Sequence, residues 1–432
     1  MGSQFDNTFN QIIVIGNGFD LACGLNSGYD DFFNSLFTDN PAAKNNVIAH
    51  GGKIINNPVN IWDIIFFYAK NEFENKGRDP KNTQWKDVEK IIKQCVSKKG
   101  IQYYQYCRMN IVYERMKYLD FIKHSTAIYD DDISEQIADK LMTDKHGLFH
   151  DAEEEARKLN CYTQGVTQEY WSYNSNAVAR AYLEELYSFE NEFKEYLQKE
   201  IKSNYSDYTN NAKNLYLAIS NLCDTYTDGK DKKDFLLSFN YTTPLLDCIN
   251  HGNKELAERL WIQKNVHGTL DTPASDRESP IIFGIDGFDS NGERDNDINQ
   301  MFSKSYRNLN LKEQPLPAEM DNPRRTLFDP IFSNAEIHCV KIYGHSFGEA
   351  DYSYFREIFN SVNLIHGKTV LYILYAEGHK PDPTAIYRLL DRYSDEVYRN
   401  GTVKSATRID LLQKLLMEDR IRLRKIVNPS SK

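Results

Sequence analysis

The first well-patterned segment of the chain is a short unbroken apolar run. Residues 11–15, Gln-Ile-Ile-Val-Ile, are rich in β-branched side chains and stop at Gly16, as expected of a strand buried on both faces inside a sheet. Similar runs at 235–239, 261–266, 280–283, 337–343 and 369–375 predict five more strands. Elsewhere the period changes from continuous to helical. Residues 29–37 read as a helix with Asp30 and Asp31 in its first turn, where negative charge is favourable. Between 60 and 228 apolar residues recur at three- and four-residue intervals. Val178, Tyr182, Leu186, Phe189, Phe193 and Leu197 follow one another at steps of 4, 4, 3, 4 and 4, which aligns them on one packing stripe. Trp62, Ile65, Tyr68 and Ala69 follow the same spacing, as do Trp85, Val88 and Ile92. Leu411, Leu412, Leu415, Leu416 and Ile421 predict a C-terminal amphipathic helix.

This pattern predicts an α/β fold: a Rossmann-like, mostly parallel sheet built from residues 8–40 plus 230–432, with a large α-helical insertion over 60–228. Residues 284–335 carry Gly287, Gly292, Pro315, Pro317 and Pro323 with little periodicity. They read as a long loop or lid.

Composition narrows the function. Lys and Arg number 52 against 62 Asp and Glu, a formal net charge of −10, and no basic stretch is longer than the short run of Arg420, Arg422, Arg424 and Lys425. General nucleic-acid binding is therefore not expected. There is no run of 18 apolar residues, and the start of the chain lacks signal-peptide organisation, so neither membrane insertion nor export is expected. The seven cysteines are scattered without a C-x-x-C pair, consistent with a reducing cytoplasm and no structural zinc. His146 and His150 alone have the spacing of two ligands on one helix face, with Gly147 between them. They read as a surface pair, and no metal is expected.

The chemistry starts where the first strand ends. Gly16, Asn17, Gly18 and Phe19, closing at Gly24, turn a strand sharply into a helix, and backbone amides freed there can face a phosphate. A dinucleotide fingerprint would require a third glycine where Leu21 stands. A plain strand–turn–helix junction explains the same residues.

Two later segments fit a more specific pattern. The order Gly-x-Gly-x-x-x-x-x-Gly-Leu, then Ser-Phe-Asn-Tyr (238–241), then Val-His-Gly-Thr-Leu (266–270) resembles the nucleotide-binding segments of sirtuin-like domains. More closely, the chain resembles the bacteriophage abortive-infection AbiH family. That resemblance rests on Ile-Gly-Asn-Gly-Phe-Asp-Leu-Ala (15–22), Gly-Tyr-Asp-Asp-Phe (28–32), Trp85 with Asp87 and Glu89, Ser-Phe-Asn-Tyr-Thr (238–242), Val-His-Gly (266–268), Ile-Ile-Phe-Gly (281–284) and Tyr-Gly-His-Ser-Phe-Gly-Glu-Ala-Asp-Tyr (343–352).

The resemblance implies antiphage defence and a cleft for NAD or a related nucleotide. Without the four-cysteine zinc module of sirtuin deacetylases, acyl-lysine removal is not expected. Hydrolysis of an N-glycosidic bond needs a phosphate cradle, oriented polar groups and a base. His267 is the candidate base, Asn240 the group that orients ribose or water, and Asp20 a ribose or water ligand. Gly344, His345 and Ser346 would line the far end of the cleft. Each has a structural alternative: a turn residue for His267, and helix caps for Asn240 and Asp20.

Trp85, Asp87 and Glu89 read as packing and surface residues of a helix. Gly344-His345-Ser346-Phe347-Gly348 also matches G-x-S-x-G, which keeps a serine hydrolase using Ser346 open, although too little chain follows for the usual acid and histidine. A non-catalytic nucleotide sensor is the other alternative. The sequence leaves open a homo-oligomer and a phage-derived or host trigger as partners.

Overall fold

The computed structural model describes residues 8–36, 62, 85–96, 175–222, 231–271, 279–286, 300–311, 337–399 and 409–427. Its centre is a six-stranded, entirely parallel sheet. The strands are β1 (Thr8–Ile15), β2 (Asp231–Ser238), β3 (Leu260–Asn265), β4 (Ile337–Tyr343), β5 (Val370–Tyr375) and β6 (Ile421–Lys425). They lie in the order β3-β2-β1-β4-β5-β6, which is the doubly wound order of a Rossmann-like fold. Successive strands step outward in one direction from β1 and in the other from β4. The topological switch point therefore lies between those two.

Side-chain alternation along each strand builds one core on each sheet face. Ile12, Val14, Phe235, Leu237, Val340, Ile342, Leu371 and Ile373 face the helices Tyr352–Ser361, Pro383–Arg399 and Leu411–Met417. Ile13, Ile15, Leu236, Tyr343 and Leu374 face the helices Asn17–Ala22 and Tyr205–Asn221. At about 1.5–3 kcal/mol for each fully buried large apolar side chain, these layers dominate stability. An exposed pair such as Lys425–Glu377 contributes at most about 1 kcal/mol.

The helix Tyr205–Asn221 thus covers the sheet itself, and its last carbonyls, at Ile219 and Ser220, accept from the buried Lys341 Nζ at 2.9 Å. A cation at a helix C-terminus complements the dipole. The helix Ser175–Ser203 instead forms an aromatic cluster with the helix Tyr29–Leu36. Phe189 and Phe193 pack on Phe32, Phe33, Tyr29 and Phe283. Leu186 and Leu197 are buried beside them as the stripe predicts, while the side chains of Val178 and Tyr182 lie outside the described residues, with Ile65, Tyr68, Ala69, His146 and His150.

Three sequence expectations change. Residues 280–283 form no strand: Gly268 and Ile281 make a single antiparallel bridge, because the turn after β3 presses against this segment. The C-terminal helix ends at Met417, and Ile421 begins the edge strand β6, because Asp419 at φ +51° reverses the chain between them. The 284–335 segment contains an ordered helix, Lys304–Leu311, anchored by buried charges at Lys304 and Arg307. Arg307 makes a two-pronged ion pair with Glu190, with contacts of 2.5 and 2.6 Å.

Candidate active site

The carboxyl ends of β1 and β4 meet through glycine. Gly16 N–H donates to Tyr343 O at 3.0 Å, and Gly18 N–H donates to Gly344 O at 2.9 Å. A Cβ on Gly18 would lie 2.7 Å from Gly344 Cα, and one on Gly344, at φ +69°, would lie 2.6 Å from Phe19 N. No side chain fits between these turns. The same contact occupies the Gly18 amide that a phosphate would otherwise use.

Other residues of the first turn have internal roles. Asn17 Oδ1 accepts from Ser27 Oγ at 2.6 Å, and Phe19 is buried edge-on against Tyr343. Gly24, at φ +87°, closes the helix Asn17–Ala22 in a left-handed conformation that glycine adopts at little cost. Asp20 is buried in a clasp: Tyr208 OH donates to Oδ1 at 2.9 Å and Thr242 Oγ1 to Oδ2 at 2.8 Å. Burial pushes its carboxyl up to about 6, against the pull of Thr242, Tyr208 and Asn240.

This shift has a definite sign. The folded state holds the Asp20 proton more tightly than the unfolded chain does, so its contribution is full below about pH 4 and lost as pH rises through about 6. His267 shifts the opposite way over an overlapping range, so the difference between wild type and Asp20→Asn isolates the aspartate. Urea unfolding at pH 4.5 and 7.5 should show Asp20→Asn gaining on wild type by ~2 kcal/mol at the higher pH. An unchanged difference would refute an ionised, buried Asp20.

Past β2, the Asn240 turn is held by Asn265, whose Nδ2 donates to Asn240 O at 2.7 Å and to Thr242 O at 3.0 Å. The Asn240 side chain itself is buried, and neither its amide nitrogen nor its oxygen has a well-aligned partner. It helps to pull down the neighbouring Asp20 carboxyl, and a carboxamide with two donor hydrogens and an acceptor oxygen keeps hydrogen-bonding capacity beyond that.

His267 follows β3, with Ile282 N–H donating to its carbonyl at 2.9 Å. Asn308 and Tyr354 hold the neighbouring Val266 carbonyl at 2.7 and 3.2 Å. The ring lies 3.1 Å from Asp351 Oδ1 through Nε2, at ion-pair distance but off the line of a straight hydrogen bond. Burial and the Lys304 charge outweigh Asp351 and take the His267 pKa down to about 4, so the ring is neutral near pH 7. The carboxylate beside Nε2 favours a proton there, which leaves Nδ1 as the acceptor.

Asp351 is the hub of the cluster. His345 Nε2 lies 3.1 Å from its Oδ2, and His345 Nδ1 accepts from Phe347 N–H at 2.9 Å. Lys304 Nζ donates to Oδ1 at 2.5 Å and also pairs with Glu89. Burial alone would raise the Asp351 carboxyl, but Lys304, His267 and His345 bring it well below its ordinary range. Phe239 stands edge-on to both imidazoles, at 5.3 Å from His267 and 4.5 Å from His345. The strand ends of β2, β3 and β4 therefore converge on one cluster. It can orient a neutral histidine as a base, the arrangement a buried carboxylate provides for its neighbour.

Glu89 is not a surface residue: it is buried and paired with Lys304, while the side chains of Trp85 and Asp87 lie outside the described residues. Ser346 is exposed, and both ring nitrogens of the adjacent His345 are engaged elsewhere. The place of Lys304 and the hub role of Asp351 were not read from sequence. Asp351 had a signal, lying six residues after His345 in the 343–352 motif; Lys304 had none.

A family model described as bacteriophage abortive infection AbiH matches residues 12–372 of the 432. The chain belongs to the AbiH family. The match takes in every residue of the cluster, from Asp20 to Asp351, and assigns the AbiH chain an abortive-infection role against phage. No curated protein and no solved structure matches it. Among its described residues, no helix is long and apolar enough to cross a membrane.

Proposed function

We propose that this AbiH protein acts in antiphage defence by binding NAD or a related nucleotide and hydrolysing its N-glycosidic bond. The supporting observation is that a neutral His267, backed by Asp351, and the buried Asn240 carboxamide, which makes no well-aligned hydrogen bond, both follow strands at the carboxyl edge of a doubly wound sheet. Ligands of such folds sit at that edge, beside the switch point. The bound nucleotide would supply a labile bond to a cationic base. His267 Nδ1 takes a proton from water or a ribose hydroxyl, and Asn240 orients the same group. Asp351 keeps the imidazole in place as it gains charge. Unrestrained NAD consumption would poison the host, so the helical block or the 284–335 segment restrains the site until infection.

The test is nicotinamide release by purified protein, with and without extract from infected cells. Wild type should release nicotinamide, and His267→Ala should lower the rate by about 10²–10⁴-fold, with Asn240→Ala also impaired and binding retained. Intact NAD under every condition would overturn hydrolysis. One observation favours a second reading, a nucleotide sensor without catalysis: the Gly18 amide is already bonded to Gly344 O, so the turns would have to part before a phosphate could use it. Binding without turnover would support that reading.

A further inference from the structure

We propose that Lys304 is a positioning residue of this site: its ammonium, clamped between Asp351 and Glu89, fixes the Asp351 carboxylate and through it the charge and orientation of His267. Lys304 is almost fully buried and reaches the cluster from the helix Lys304–Leu311. Glu89 reaches it from the helix Trp85–Cys95. Neither helix belongs to the strand ends that carry the histidines, so two outlying segments complete the charge of the site.

The charge balance explains the choice of a lysine. Asp351 has two oxygens facing three donors: His345 on Oδ2, with His267 and Lys304 on Oδ1. Without a cation on Oδ1 the carboxylate would draw a proton onto His267 and remove it as a base. With Lys304 present, the negative charge stays on Asp351 while His267 remains neutral. Two carboxylates share one ammonium. Because Asp351 also has the histidines, Glu89 becomes the carboxyl pushed up by burial, with the Asp351 charge adding to it. The groups facing His267 are then Asp351 from the turn Glu349–Asp351, Lys304, His345 after β4, Phe239 after β2, and Tyr354 from the helix Tyr352–Ser361.

The functional consequence rests on the reading of His267 as a base, but the test does not. The His267 C2 proton, assigned by its loss in His267→Gln, is titrated by NMR in full-length protein without nucleotide. Wild type should titrate near pH 4. In Lys304→Met the midpoint should rise by about 1–2 units, while Lys304→Arg should stay near wild type. Glu89→Gln, which mimics the protonated acid present at that pH, should leave the midpoint in place. An unchanged midpoint in folded Lys304→Met overturns the proposal, as does an equal rise in Glu89→Gln, which would report loosened packing. Should Lys304→Met not fold, Lys304→Met/Glu89→Leu removes the ammonium together with the buried acid it pairs with, and the same rise is required of it. Absent nicotinamide release would sink the enzymatic reading alone; an unmoved titration would sink the role of Lys304 alone.

Discussion

Asp351→Asn should be the most damaging single change in the cluster, lowering nicotinamide release by about 10²–10⁴-fold and destabilising the protein by about 3–5 kcal/mol. The side chain keeps its volume, so packing is not the cause. Lys304 loses one of its two acidic partners, and because Asn offers one oxygen and one NH2, only one of His267 and His345 keeps an acceptor beside Nε2. Breaking a buried pair from one side leaves a desolvated charge, which costs far more than deleting the whole pair. Urea unfolding measures the stability loss, and turnover of the folded fraction measures the rest. A folded variant with wild-type turnover would show that His267 works without Asp351.

Gly344→Ala should be comparably severe for stability, at about 2–6 kcal/mol, combining a left-handed backbone with overpacking. The added Cβ would lie 2.6 Å from Phe19 N and 2.7 Å from Gly18 C. These contacts are backbone, which cannot rotate away. Gly252→Ala is the matched control, with φ +89° and nothing within 4 Å, so it carries only the conformational cost of about 1–2 kcal/mol. A similar loss in both variants by thermal or urea unfolding would mean that the two turns are not locked together at the switch point.

The glycine turns and the histidine cluster at this edge of the sheet are satisfied to different degrees. At the histidine end, the polar groups are poised, and the Asn240 carboxamide makes no well-aligned hydrogen bond. At the glycine end, the turns satisfy each other. Under the proposed function, a nucleotide engaging both ends would require the two glycine turns to part.

The apolar pattern alone determined much of this molecule. The apolar runs at 11–15, 337–343 and 369–375 read as buried strands and fold as such, and the stripe through Leu186, Phe189, Phe193 and Leu197 reads as a packed helix and is one. Both are local periodicities, legible because each residue's burial follows from its neighbours in sequence. Gly16, Gly18, Asn240, His267 and His345 were legible as turn residues following strands, and the parallel sheet brings all of them to one edge.

Tertiary structure decided what each of them does. Asp20 became a buried clasp and Phe19 core, because Tyr208, Thr242 and Tyr343 arrive from distant segments. Lys304 and Glu89, 215 residues apart, look like ordinary solvated charges in any local window. A charge's role depends on which opposite charges share its low-dielectric surroundings, and only the folded chain brings those together.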